Sequence, residues 1–171
     1  MNEFSLILKE IEKYYIKSND DNEFTVTKNK MLIHLMDRCL RVASHLIPPA
    51  SSEKAFERAN KNNIDIFRLR EKDRNKIEKQ IKKSNPNDDE KFILEHFNPV
   101  NIIVKEMLSK QNDLSRFEYA IDKLKVVWIL KSEDDVLRNN GHRTNRPNPI
   151  EAYDQAGIKI IENPKKEMWL K

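Results

Sequence analysis

Across residues 3–17 the apolar positions Phe4, Ile7, Leu8, Ile11 and Tyr15 fall at the steps of one helix face, with Lys and Glu between them. That spacing predicts an amphipathic helix. Residues 18–22 read as a polar turn, and the run Phe24, Thr25, Val26, Thr27 is too short to assign. A second helix is predicted over 28–47, with Leu32, Leu35, Cys39, Val42 and Leu46 as its core face and Pro48 and Pro49 closing it.

Residues 51–84 carry a sparser pattern: Ala55, Phe56 and Ala59, then Ile64, Ile66, Phe67 and Leu69, then only Ile77 and Ile81. The last stretch is a weakly buried helix. Turn-forming residues accumulate at Ser84, Asn85, Pro86, Asn87 and Asp88, so 85–90 reads as a linker-like turn. Beyond it, Phe92, Ile93, His96 and Phe97 suggest a short helix ending before Pro99, and Ile102, Ile103, Val104, Met107 and Leu108 suggest another. Ser115 with Glu118 three residues later is a capping-box pattern, opening a helix that would bury Phe117, Ile121, Leu124 and Trp128. The continuous apolar run Val126 to Leu130 fits a buried strand as well as a helix and is read as helix, with Ser132 and Asp135 restarting one at Glu133. A helix over 150–156, stopped by Gly157, and an edge strand over 158–161 complete the chain.

With only two glycines and seven prolines in 171 residues, long stretches lack either breaker. The expectation is a mainly α fold: one compact helical domain of about six to eight helices, with a small two-strand element near the C-terminus. Its parts would be N-terminal helices to residue 84, the turn at 85–90, and C-terminal helices over 91–171. A lone cysteine, Cys39, rules out an internal disulfide and any cysteine-cluster metal site. No apolar run reaches the length of a membrane span, so the expectation is a cytoplasmic protein without a membrane association, and no motif for a cofactor or metal ion is present.

Charge narrows the picture further. The chain carries a formal net charge of +4, yet residues 53–84 alone hold eleven Lys or Arg against six Asp or Glu. The basic character is therefore local. Arg68, Arg70, Lys72, Arg74, Lys76, Lys79, Lys82 and Lys83 would give a phosphate backbone salt-sensitive, sequence-independent attraction. The plainer alternative pairs them with Glu71 and Asp73 nearby.

A second cationic feature is the loop 138–149, where Arg138, Arg143, Arg146 and His142 lie among four asparagines, with no acid between Asp135 and Glu151. Arg143 and Arg146 are candidates to clamp phosphates and His142 to transfer a proton. Pairing with Glu133, Asp134 and Asp135 is the plainer alternative. A third is the stripe His34, Arg38, Arg41, His45, which a helix holds within about 60°.

Arg38 and His45, with six residues between them, resemble the Arg-x4-6-His motif of the HEPN superfamily, all-helical proteins many of which are metal-independent ribonucleases. The resemblance covers this one motif, with Cys39 where family members often carry a polar residue. It implies His45 as the proton-transfer group and Arg38 as the residue stabilising charge on the phosphate.

These features together predict a nucleic-acid-binding protein, RNA ahead of DNA, with metal-independent ribonuclease activity as a conditional extension. The contacting residues would be Arg41, Arg68, Arg70, Arg74, Lys76, Arg138, Arg143 and Arg146, and the catalytic ones Arg38, His45 and His142. The alternative is a helical interaction module, such as an inhibitor, adaptor or assembly factor, with a protein partner and no nucleic-acid affinity. The first reading requires the basic helix and the Arg-rich loop on one surface; the second requires an exposed apolar patch rimmed by charge.

Overall fold

The computed structural model describes residues 23–109 and 115–164, together with Glu10. The predicted helix over 3–17, the turn at 18–22 and the tail residues Trp169 and Leu170 lie outside the described residues. The described elements are mainly helical, with seven α-helices and a four-stranded sheet. Among them no helix is long and apolar enough to cross a membrane. The chain divides into two compact units, each assembled from two separate stretches.

The first unit comprises Met1–Leu46 and Val100–Leu124. Its helices are α1 (Glu23–Ser44), α4 (Val100–Ser109) and α5 (Ser115–Lys123). α4 packs against both α1 and α5. Its buried side chains include Met36, Leu40 and Ala43 from α1, Val100, Ile103, Val104 and Met107 from α4, and Phe117 and Ala120 from α5.

The packed face of α1 is not the expected one. Leu35, Val42 and Leu46 are exposed, Leu32 and Cys39 half-buried, and the interior face is turned by about a quarter of the circumference toward Met36 and Leu40. α1 is apolar over an arc wide enough to offer two faces, and the packing against α4 selects one of them.

The second unit, Ile47–Pro99 and Lys125–Lys171, is built on the sheet. Its strands are β1 (Ala50–Ser52), β2 (Phe92–His96), β3 (Val126–Leu130) and β4 (Ile160–Ile161), in the order β2-β3-β1-β4. β1 runs parallel to β3, with Ala50 opposite Val127; β2 and β4 are antiparallel to their neighbours. Helices cover both faces. Trp128 and Leu130 of β3, with Phe92 of β2, pack under α2 (Glu53–Lys61), a single 3-10 turn (Ile66–Arg68) and α3 (Glu71–Ser84). Val127 and Ile129 face Leu137 of α6 (Lys131–Asn139) and Tyr153 of α7 (Pro149–Gln155).

Two helical expectations are thus corrected to strands. Val126–Leu130 is the fully buried inner strand, and its unbroken apolar run follows from helices on both sides of the sheet. Phe92–His96 pairs with it along its whole length, and Trp128 belongs to the sheet rather than to α5. The expected two-strand element is the edge pair of a larger sheet, β4 adding to β1. α7 and its stop match the expectation: Gly157 takes φ +67, and Ile158 N–H returns to the Tyr153 carbonyl. The turn at 85–90 joins α3 to β2 inside the second unit.

Candidate nucleic-acid interface

α3 owes its position to one narrow apolar edge. Ile81 is buried and Ile77 partly so, both against the Phe92–Trp128 side of the sheet, while Glu71 and Asp73 in the first turn and Lys82 and Lys83 in the last suit the helix dipole. On the opposite side Lys72, Lys76, Lys79 and Lys83 follow at steps of four, three and four, all exposed. Such steps place them within about 60° of one another over roughly 16 Å of helix. None of the four makes an ion pair or side-chain hydrogen bond among the described residues.

The arginines of the same segment behave differently. Arg68 pairs with Asp65 at 3.4 Å, Arg70 with Asp73 at 3.1 Å and Arg74 with Glu71 at 3.8 Å. These are the local pairs that the sequence offers as the plainer alternative. Arg58 of α2 is buried, its guanidinium on Glu78 (2.9 Å), Asp88 (3.2 Å) and the Glu90 carbonyl (2.7 Å), 4.5 Å above the Phe92 ring. Burial works against its charge, and the hydrogen bonds to Glu78 and Asp88 outweigh that, so the guanidinium holds its proton more tightly than usual.

Beside α3 a groove of about 620 Å³ runs between the helix and the 88–93 segment. Arg74, Lys79, Lys82 and Lys91 line it together with Glu78, Asp88, Asp89 and Glu90, so its charges balance. Lys82 is held by Asp89 at 2.6 Å, which keeps that carboxyl below its ordinary range. Lys79 belongs to both the groove and the outer row, whereas Lys72, Lys76 and Lys83 lie outside the groove.

The loop 138–149 is on the other side of the sheet. Arg138 at the end of α6 pairs with Asp134 at 2.7 Å and Asp135 at 3.3 Å. Arg146 is 1% exposed and cannot reach a ligand: it binds Glu95 at 2.8 Å and the carbonyls of His96, Phe97 and His142 at 2.9 to 3.1 Å. It is the internal clamp of the loop, and Glu95, 51 positions earlier, is an acid that local sequence does not suggest. His142 is half-buried, its Nε2 3.2 Å from Gln155 Oε1, while Arg143 is exposed and without an ion pair among the described residues. α3 and this loop therefore serve opposite faces of the sheet and do not form one surface.

In the first unit, His34, Arg38, Arg41 and His45 are all exposed on α1. Arg41 is bound to Asp37 at 2.7 Å, and Arg38 Nε donates to His34 Nε2 at 3.5 Å. Arg38 and His45 share a side of the helix but are two turns, about 10 Å, apart along it. Next to this stripe lies an exposed apolar row, Met31, Leu35, Val42 and Leu46.

Two runs of three acids, Asp88-Asp89-Glu90 and Glu133-Asp134-Asp135, supply structural contacts. Asp88 and Asp89 hold Arg58 and Lys82, while Glu133 is buried, accepting from Ser52 Oγ at 2.6 Å and from Leu130 N–H at 2.8 Å. Glu133 thus closes the start of α6 in place of the expected Ser132 cap. No group of three or more His, Cys, Asp or Glu able to hold a metal ion occurs among the described residues. Compared with known protein families, curated proteins and solved structures, the chain matches none of them.

Proposed function

We propose that the protein binds nucleic acid, RNA ahead of DNA, by laying the phosphate backbone along Lys72, Lys76, Lys79 and Lys83. The observation that supports this reading is the row itself: four exposed ammonium groups in line, none in an ion pair among the described residues, while the neighbouring Arg68, Arg70 and Arg74 are each paired with a carboxylate. A row of about 16 Å faces roughly five phosphates at the 3.4 Å axial spacing of one strand. Lysine ammonium groups on flexible stems hold phosphates as point charges, so the contact is independent of base sequence. The two-part surface expected from the sequence is not formed, because the loop 138–149, with Arg138 and Arg143, is across the sheet from α3, so the reading rests on the row alone: it keeps Lys76, adds Lys72, Lys79 and Lys83, and leaves out the buried Arg146 and the acid-paired Arg41, Arg68, Arg70 and Arg74. A cytoplasmic location belongs to the same reading.

Ribonuclease activity is a separate extension carried by α1 of the first unit, where His45 would transfer the proton and Arg38 hold the phosphate of a strand carrying a 2′-hydroxyl, independently of the lysine row of the second unit. The test is titration of labelled single-stranded RNA and duplex DNA at several salt concentrations in EDTA, followed by a denaturing gel. The expected result is affinity for RNA with a log–log salt slope of about −3, the value for four neutralised phosphates on a single strand. Replacement of all four lysines by Glu abolishes it. Absence of binding at low salt overturns the reading in favour of the interaction module, and cleavage lost in His45→Ala or His142→Ala identifies the catalytic histidine.

A further inference from the structure

The outward side of α1 carries two adjoining rows. Met31, Leu35, Val42 and Leu46 are 69%, 46%, 59% and 67% exposed, although the same helix buries Met36 and Leu40 completely. At 100° per residue these four fall within about 60°, along some 22 Å of helix. His34, Arg38, Arg41 and His45 run alongside, on the edge away from the packed face, and Asp37, bound to Arg41, is the sole acid between residues 30 and 47. On its other edge the row turns into the half-buried Leu32 and Cys39. We infer that this surface docks an amphipathic helix of a partner protein, one that carries Asp and Glu along one flank of its apolar face.

Three observations choose that occupant. The row is narrow, the width of a coiled-coil seam, because the broad apolar face of α1 is already spent on α4; a helix lying in a membrane needs the broad face free. Beyond the Arg41–Asp37 pair, the uncompensated charge is positive and lies on one edge, at Arg38, so an acidic flank on the partner completes it. Antiparallel pairing of two copies through the row sets cationic edge against cationic edge, which disfavours a second copy of this chain. Recognition is then by apolar anchors at helical spacing, with the arginines fixing orientation.

The experiment pans a display library of 18-residue peptides, patterned with Leu at i, i+3, i+4 and i+7 and with flank positions randomised among Glu, Lys and Ser, against the full-length protein. Enriched clones are expected to carry Glu on one flank, and their synthetic peptides to bind at least tenfold more weakly to Leu35→Ser and Val42→Ser. Both positions are exposed, so these variants keep the wild-type circular dichroism spectrum. Arg38→Glu should reverse the selection toward Lys flanks. No enrichment, the result if residues 1–22 of the chain itself occupy the row, overturns the inference. So do clones with neutral or Lys flanks, clones indifferent to Leu35→Ser, a concentration-dependent dimer that Leu35→Ser dissolves, and binding to phosphatidylglycerol vesicles that Leu35→Ser abolishes.

Discussion

Ser52 and Glu133 stand 81 positions apart in the chain and meet at the C-terminal ends of the two parallel strands, hydroxyl to carboxylate at 2.6 Å, with neither side chain reaching solvent. Each also closes a helix. The Ser52 hydroxyl accepts from Ala55 N–H at the start of α2, and the Glu133 carboxylate accepts from Leu130 N–H at the start of α6. Removing Glu133 therefore leaves a buried hydroxyl and a buried amide without their acceptor. Glu133→Ala should lower stability by about 2–4 kcal/mol and Ser52→Ala by about 1–2 kcal/mol, read from urea midpoints. An unchanged midpoint in Glu133→Ala would refute this account of the two helix starts.

Arg146 anchors its loop with four hydrogen bonds, three of them to carbonyls, and a single ammonium cannot span that set. Arg146→Ala should cost about 3–5 kcal/mol, the usual loss when one member of a buried pair is removed, and Arg146→Lys should recover only part of it. Limited trypsin digestion gives a second measure: the variant should be cut after Arg143 faster than the wild type.

Tyr153 is 1% exposed, lies 4.9 Å from the Phe97 ring, and has a hydroxyl without a hydrogen-bond partner among the described residues. Burial pushes its pKa well above the usual tyrosine range, with Arg146 pulling weakly the other way. The unfolded chain loses this proton near pH 10 while the folded one keeps it, so the contribution to stability is complete below pH 10 and declines above it, by about 1.4 kcal/mol per pH unit. Denaturation of wild type and Tyr153→Phe between pH 8 and 11 should show the two curves separating above pH 10. At neutral pH the variant should match or slightly exceed the wild type, since it removes an unpaired hydroxyl.

Because the loop 138–149 is across the sheet from α3, Arg138→Glu and Arg143→Glu should leave RNA affinity within about twofold, whereas Lys76→Glu with Lys79→Glu should reduce it at least tenfold and flatten the salt slope by about 1.4. Equal losses from both pairs would mean that the bound strand wraps around the unit.

Most helices were legible from periodicity, and so was the stop at Gly157, because each depends on neighbours within a few residues. What escaped depends on distant ones. Val126 to Leu130 has no alternation to read, since its two sides face different helix layers. The interior face of α1 was misplaced because Leu35, Val42 and Leu46 follow helical spacing as well as Met36 and Leu40 do; only α4 distinguishes them. Arg146 resembled a ligand-binding residue because its acid comes from β2. The sequence reading placed the basic segment but not the lysine row within it, because only the pairing of Arg68, Arg70 and Arg74 with close acids sets Lys72, Lys76, Lys79 and Lys83 apart.

The order in which the sheet is made differs from the order in which it is arranged. β3 lies between β1 and β2, yet it is the third strand synthesised, after the whole of α4 and α5. On the ribosome, β1 and β2 must therefore wait with open edges until residue 130 emerges, and pairing of Ala50 with Val127 closes a long loop, which makes folding slow. Both waiting strands have features of edges that resist pairing with other chains: β1 is three residues long and contains two serines, and β2 ends on Glu95 and His96 with Lys91 just ahead of it.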